Sequence, residues 1–578
     1  MKRAFFKILR ALFFSAIFSS QIFCAVRRGQ DLVESGHWVY DALAQIEIDV
    51  GRWNFIDEAP LSIQTIQGIL DDIPYEHLSE TGKIQYDRIR EFFEEFDFSL
   101  DAGIFSIGVE PKANLEFYAK TEDDLAWLYG NHERQRTIEL PLKITLGDYL
   151  SVFMGFALGQ RRRFLENENQ NYVNHFFTEE AFDPNLTHST YLSAGYRWQN
   201  GVGLNFSFGY GKQNYGRAAL GSTILSDYLT DIPYLQLRVY SPIFAYAFNV
   251  RQLNPKTTFY AHTIDFRLFK KLTLGFMEGG AGYNDFDMSF VNPFGIFHAY
   301  EMHNHYDWIS YFAMKVNFVP IKNLRIYFMY SMDEHQLATE KSSDPDSLPE
   351  AKAYQGGVEL QFPLASGFLR FNLEGYYADP YFMIKESPNW SLVSAKDGAY
   401  EWIGSPLGPD SAAGKISAEY ERPGKFSIGL NYIFAARGEF SQKNIFKEWK
   451  RGNYENPDPS DWIYPAKKDG AEGGYIQPYG RKYKTPHTSA GKKAEYDNII
   501  YVRASYSPVK WFTIVAQPAY IFVFNHNNES GKFRHGFEAA ISARFDFCRI
   551  PKKPLNFDFL LKDKYDRETQ EIQNAGEE

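Results

Sequence analysis

The residues of this chain that could do chemistry sit in short clusters between regular stretches. Glu278, His298 and Glu301 precede His303 and His305, so two carboxylates share a stretch with a His-x-His pair. Such a set holds a divalent metal if a carboxylate converges on the imidazoles. Nothing in the order of residues enforces convergence, and loop histidines beside aromatics more often hydrogen-bond or face water, so no metal is expected. No Gly-x-Ser-x-Gly elbow and no phosphate loop occurs. A membrane-bound lipid or glycan hydrolase would need a Ser, a His and an acid meeting in the fold, and no nucleophile–base pair is identifiable. The expectation is a non-enzymatic protein with no catalytic residue and no cofactor.

A second set suits binding. Arg161, Arg162 and Arg163 are consecutive. Adjacent guanidinium groups grip an acidic sugar or a phosphate by bidentate hydrogen bonds; contact with anionic lipid headgroups or plain solvation is the competing reading. Trp390, Trp402, Trp462, Tyr464 and Tyr475 lie among Asp, Lys and Asn in the stretches 378–410 and 438–496. Aromatic faces suit the apolar faces of sugar rings, while the alternative is that they pack the loops together. Arg437 and Glu439 flank Gly438 and serve either a ligand or a rim ion pair. Arg161, Arg162, Arg163, Trp390, Trp402, Arg437, Glu439, Trp462 and Tyr464 are therefore the candidate glycan-binding residues.

These clusters need a frame, and alternation supplies it. Phe537, Ala539, Ile541, Ala543, Phe545 and Phe547 share one parity; Glu538, Ser542, Arg544 and Asp546 share the other. The same two-residue period runs through Ile138–Leu146, Leu324–Tyr330, Leu369–Glu374, Phe426–Phe434 and Ile500–Ser505. In strands these parities are opposite faces, one for an apolar medium and one for water. Each run has the length of a tilted membrane strand, ~9–11 residues. Short turns near Gly147-Asp148, Asn200-Gly201, Ser241-Pro242, Lys270-Lys271, Ile321-Lys322, Ser366-Gly367, Arg422-Pro423-Gly424 and Pro508-Val509 alternate with long loops. The loop at Asn254-Pro255 is the short exception on the long side. Tight periplasmic turns and long external loops mark an outer-membrane barrel. Lys112 to Cys548 accommodates about 18 strands, an even number that returns both ends to the periplasm. Residues 102–109 also look strand-like but break that parity and are placed outside the wall. Lumen-facing Arg325, Arg370, Glu374, Arg503, Glu538 and Arg544 are expected to pair across the bore. A soluble double-sheet protein could alternate in the same way, but it would not need loops that are long on one side only.

The totals agree. The chain has 578 residues, 17% of them aromatic, with 51 Phe and 39 Tyr, and aromatic girdles would consume that surplus. Mean hydropathy is −0.39 and no uncharged apolar run after the first 25 residues reaches a spanning helix. A net charge of −11 argues against nucleic acid as a partner, though local basic patches are compatible with it. Two cysteines, Cys24 and Cys548, make a structural disulfide or a zinc site unexpected.

Residues 1–25 read as a signal peptide: Lys2, Arg3, Lys7 and Arg10 precede an apolar stretch and the small residues Ser19, Ser20 and Ala25. Residues 26–100 carry three amphipathic stripes, around Val39, Leu43 and Ile46; Ile63, Ile66, Leu70 and Ile73 with Ser62 as cap; and Tyr86, Ile89, Phe93 and Phe96. They predict a small periplasmic helical bundle. Residues 101–548 form the barrel, and 549–578 a charged tail.

Three stretches carry a resemblance. They are AHTIDFRLFKKLTLGFMEG from Ala261, NPFGIFHAYE from Asn292 with MDEH at Met332–His335, and GSPLGPDSAAGKISAEYERPGKFSIGLNYIFAARGE from Gly404. In order and spacing they resemble the capsule-assembly Wzi family of outer-membrane proteins. The resemblance implies an 18-strand barrel behind a helical bundle, and lectin-like attachment of secreted polysaccharide at the cell surface. The implied partners are outer-membrane lipid, a surface polysaccharide or exopolysaccharide, and the outer-membrane assembly machinery. The tail 549–578 and the 438–496 loop fall outside that plan. A porin-like channel or transporter for small solutes is the rival reading, since a barrel of this size can leave an aqueous bore.

Overall fold

The computed structural model describes residues 23–25, 28–94, 97–102, 104–126, 128–129, 133–159, 172–173, 187–229, 231–283, 288–298, 308–334, 351–384, 391–396, 399–438, 441 and 493–550. Eighteen antiparallel strands close into a barrel. In chain order they are β1 (Lys112–Lys120), β2 (Ile138–Leu146), β3 (Leu150–Leu158), β4 (Thr187–Arg197), β5 (Gly203–Gly211), β6 (Ile232–Tyr240), β7 (Phe244–Asn254), β8 (Thr257–Leu268), β9 (Leu272–Tyr283), β10 (Trp308–Ile321), β11 (Leu324–Glu334), β12 (Ala351–Leu364), β13 (Gly367–Ala378), β14 (Ser411–Arg422), β15 (Phe426–Arg437), β16 (Glu495–Val509), β17 (Phe512–Phe524) and β18 (Phe533–Asp546). Each predicted short turn joins neighbouring strands at one end, and the long connections lie at the other.

The two parities fall on opposite faces as the alternation requires. Leu373, Leu430 and Ile541 are 57%, 56% and 48% exposed on the outside, while Glu374 and Arg325 are 1% and 0% exposed on the inside. The outer face continues with Phe208, Phe276, Phe328, Phe362, Ile416 and Ile428. An apolar belt on this scale belongs in hydrocarbon and not in water.

Closure corrects one expectation. β1 pairs along its whole length with β18, from Lys112↔Asp546 to Lys120↔Glu538. Its ladder with β2 is short, Lys112↔Glu139 and Ala113↔Ile138. The segment Phe105–Val109 then continues the same register along β2, from Val109↔Leu142 to Phe105↔Leu146. Of residues 102–109, expected outside the wall, Phe105–Val109 are thus the lower half of its first strand, separated from β1 by Glu110-Pro111, where Pro111 has no N–H for the ladder. The strand number is unchanged because the segment is an extension.

The N-terminal stripes form three helices, α1 (Trp38–Val50), α2 (Ile63–Asp71) and α3 (Glu80–Glu94). Ser62 caps α2 as predicted, its hydroxyl accepting the Thr65 N–H at 3.2 Å. Gly51, at φ 76°, closes α1 by donating to the Glu47 and Ile48 carbonyls, a left-handed position that suits glycine. Leu43, Ile46, Trp53, Ile66, Leu70 and Ile89 make the apolar core of the bundle. The bundle docks on the short turns. Asn323 N–H donates to the Ile48 carbonyl at 2.9 Å, Trp53 N–H to the Lys270 carbonyl at 3.0 Å, and the Thr81 hydroxyl to the Gly367 carbonyl at 3.2 Å. It therefore caps the periplasmic end of the barrel, and the link between α1 and α2 enters the bore.

Candidate functional site

Three layers fill the bore. The lowest is built on Lys315 of β10, whose parity points it inward. Its ammonium lies 2.9 Å from Asp57 of the α1–α2 link and 3.0 Å from Asp265 of β8. It also sits 3.7 Å from the ring centroid of Tyr215, a residue of the external loop between β5 and β6. Beside it Glu58 pairs with Arg238 at 3.1 Å, and Glu58–Ala59 forms a two-residue antiparallel pair with Asn214–Tyr215. A segment entering from the periplasm thus hydrogen-bonds one descending from outside.

The middle layer is Glu374 of β13. Its carboxylate accepts the Ala219 and Leu220 N–H groups at 2.6 and 2.9 Å, the Gln355 amide at 2.9 Å, and the Tyr327 hydroxyl. A buried carboxylate with this many donors is satisfied, and it holds the descending loop by its main chain. The upper layer is apolar. Leu220, Ile224, Leu225 and Leu229 from that loop meet Phe382, Met383, Leu392, Trp402, Ile403 and Leu407 from the β13–β14 loop, over Phe259, Tyr311 and Met329 of the wall.

Among the described residues the filling leaves a large space. A cavity of about 1310 Å³ runs between α1, α3 and the wall. Its lining includes Lys425, Lys510 and Arg549 at the periplasmic end, Arg370, Arg503 and Arg544 within, and Lys212 and Asp231 at the external strand ends.

The inward charges named from the sequence pair with neighbours and inserted segments, not across the bore. Arg325 bonds Glu359 at 3.0 Å and lies 4.3 Å from the Trp53 ring; Arg370 bonds Glu419 at 2.9 Å. Arg503 meets Glu133; Glu538 accepts the Leu128 N–H at 2.8 Å; Arg544 donates to the Tyr129 hydroxyl at 3.3 Å. The physical reason is desolvation: a charge inside the wall needs a partner within bonding distance, and the nearest strand, helix or loop supplies it.

At the external rim Arg437 pairs with Asp497 of the next strand at 2.7 Å, the ion-pair alternative for that residue. Gly438 has no room for a side chain, because a Cβ would meet the Asp410 carboxylate. Trp402 is 2% exposed. It packs inside the folded loop and offers no stacking face to solvent, which is the packing alternative. Arg161, Arg162, Arg163, Trp390, Glu439, Trp462, Tyr464 and Tyr475 lie outside the described residues, as do Glu301, His303 and His305.

Glu278 and His298 do meet, on the outer wall. Glu278 accepts the main-chain N–H of His298 at 3.1 Å, and the His298 ring Nδ1 lies 3.1 Å from the Ser310 hydroxyl. A Ser, a His and an acid thus come together, with Glu278 accepting from the main chain of His298. No group of three or more metal-ligating residues forms among the described residues.

The sequence reading missed Asp57, Lys315, Asp265 and Tyr215. The available signal was Lys315 itself, a lone cation on the inward parity of a 14-residue strand. Its partners lie 50 or more residues away and have no local signature.

No protein-family model and no curated protein matches the chain. Among solved structures it is similar to Wzi, "an outer membrane protein involved in group 1 capsule assembly in Escherichia coli", described as a carbohydrate-binding β-barrel. The TM-score is 0.54 and the identity 13%, over 88% of this chain and 98% of that one. Vibrio cholerae OmpT aligns with a TM-score of 0.32 and 10% identity, over 78% of this chain and 100% of that one. Pseudomonas aeruginosa OprD aligns at 0.35 and 8%, over 76% and 95%. The chain has the fold of an outer-membrane β-barrel with a helical region toward the periplasm.

Proposed function

We propose that this protein binds or anchors polysaccharide at the cell surface, without catalysis, using the external loops of a closed outer-membrane barrel. The observation that carries the reading is the three-layered filling of the bore, in which Lys315, Glu374 and the Phe382–Trp402 layer are each anchored to the wall. A bore packed in this way is a rigid platform for the loops above it. The carbohydrate-binding role stated for the Wzi barrel supports the same reading. The residues proposed for glycan contact are Arg161, Arg162, Arg163, Trp390, Glu439, Trp462 and Tyr464, with Arg437 and its Asp497 partner shaping the rim. Each contact is weak alone; a long polymer engaging many copies is retained by multivalency.

The test is retention of cells or proteoliposomes on immobilised acidic polysaccharide. Trp462→Ala combined with Tyr464→Ala is expected to lower retention at least tenfold while the barrel still assembles. Unchanged retention would reject the loop assignment. The cavity of about 1310 Å³ favours a second reading, a channel for small solutes. Planar-bilayer recording separates the two: a steady open conductance in the intact protein selects the channel.

A further inference from the structure

Arg238 of β6 has the inward parity and is 2% exposed. Its Nε donates to the Glu58 carboxylate at 3.1 Å. Its Nη1 and Nη2 are buried with no hydrogen-bond partner among the described residues. Donors left this way cost stability, and in a native fold such a group calls for a bound water or ion. The Tyr240 ring centroid lies 5.1 Å from the guanidinium carbon, a contact that steadies the group without taking up its N–H bonds.

Arg238 lines a pocket of about 240 Å³ at the periplasmic end of the bore. The walls are α2 and the turns after β4 and β6, all among the described residues. Arg197 of β4 lines it too. Its Nη1 holds Asp71 at 3.2 Å, while its Nε is buried without a partner. Gly68 of α2 makes room for this side chain, since a Cβ there would lie 2.8 Å from Arg197 Nε. Two guanidinium groups from separate strands thus bring spare donors to one pocket.

The carboxylates beside it are already engaged. Asp72 meets Arg267 at 2.7 Å, Lys270 at 2.5 Å and Arg52 at 3.8 Å. With Arg197 on Asp71, four cations share two acids. Burial pushes the pKa of the neighbouring Glu47 up to about 7, so that acid offsets only part of the excess. The C-terminal carbonyls of α2 would repel an anion, but the Asp72 and Ile73 N–H groups and Arg52 occupy them. The pocket is smaller than the ~300–1,000 Å³ of drug-sized sites, so its ligand is small. A planar carboxylate is matched by one guanidinium fork, whereas a tetrahedral phosphate has oxygens for two.

We propose that Arg238 and Arg197 form a phosphate site at the periplasmic end of the barrel, for inorganic phosphate or the phosphate group of a small soluble monoester. The site is separate from the external loops assigned to glycan and does not depend on that assignment.

The experiment is equilibrium dialysis of the full-length barrel in detergent against radiolabelled inorganic phosphate, with chloride holding the ionic strength constant. Unlabelled glycerol 3-phosphate and acetate serve as competitors. One phosphate per barrel is expected at millimolar free anion. Displacement by glycerol 3-phosphate at lower concentration than by phosphate itself would identify a monoester as the preferred source, and the reverse order the free ion. Arg238→Lys keeps the charge and loses the fork, and is expected to weaken binding at least tenfold. Gly68→Ala displaces the Arg197 guanidinium and Arg197→Gln removes it; each is expected to weaken binding at least threefold. Heat-modifiable migration identifies the assembled variants. The proposal is overturned if the wild type binds no phosphate, if acetate competes as well as phosphate, or if the assembled variants bind as tightly as the wild type.

Discussion

Lys315 of the wall and Asp57 of the inserted link lie 2.9 Å apart, 2% and 1% exposed at their side chains. Because Asp265 and the Tyr215 ring share the same ammonium, one lysine joins the barrel, the periplasmic segment and the external loop. Lys315→Ala leaves two buried carboxylates without their cation, a change that costs about 3–5 kcal/mol. The expected result is faster trypsin cleavage within residues 52–61 in proteoliposomes and the appearance of bilayer conductance. Cleavage and conductance equal to the wild type would show that Lys315 is not the latch.

Glu374 holds the descending loop by two main-chain N–H groups. Glu374→Ala strands both donors, at about 1–3 kcal/mol each. The Leu220 amide is expected to exchange with deuterium at least tenfold faster, while amides of β9 and β10 keep their protection. A uniform loss of protection would mean that the whole barrel had loosened, contrary to this assignment.

Glu47 of α1 is fully buried with no hydrogen-bond partner for either carboxylate oxygen among the described residues. Burial pushes its pKa up from 4.5 to about 7, with Arg267 pulling it down and Asp72 pushing it up. An acid raised in the folded state is most stabilising below its unfolded pKa. Between about pH 4.5 and 7 the unfolded bundle releases the proton first, so stability falls as pH rises, by on the order of 3 kcal/mol. Thermal release of the bundle is expected at higher temperature at pH 5 than at pH 8, and Glu47→Gln should flatten the difference. A bundle equally stable at both pH values would contradict a protonated Glu47.

Gly438→Ala drives a methyl group into the Asp410 carboxylate. Overpacking of this kind costs about 1–3 kcal/mol. The strain falls next to the Arg437–Asp497 pair, so local proteolysis at the rim should rise while the melting of the wall changes little. A rim as resistant as the wild type would show that Asp410 can move aside.

The wall was legible because its rule is local. Leu324, Ile326 and Phe328 alternate with Arg325 and Tyr327, and two neighbours suffice to assign a face. The helices were legible for the same reason, through Ser62 and the Ile63, Ile66 and Leu70 stripe. The filling of the bore was not. Asp57, Asp265 and Lys315 are far apart in sequence, and each alone reads as an ordinary strand or loop charge. Trp402 shows the converse difficulty. A loop tryptophan has the same signature whether it faces a sugar or packs on Leu392, and only the fold of the loop decides. The place of residues 105–109 in the wall was not legible, because the first strand changes neighbours halfway and an even strand count does not reveal that.

That divided first strand has a consequence for how the barrel opens. Above Ala113, β1 has left β2 and is stitched instead to β18, the last strand to be made. The upper half of the N-terminal strand is therefore held along its length by the last strand of the chain, with Phe117 and Tyr118 also pairing with Val173 and Tyr172. The β1–β2 junction, with two register pairs, is a thinly stitched seam of the described wall, and the cylinder is expected to open there first.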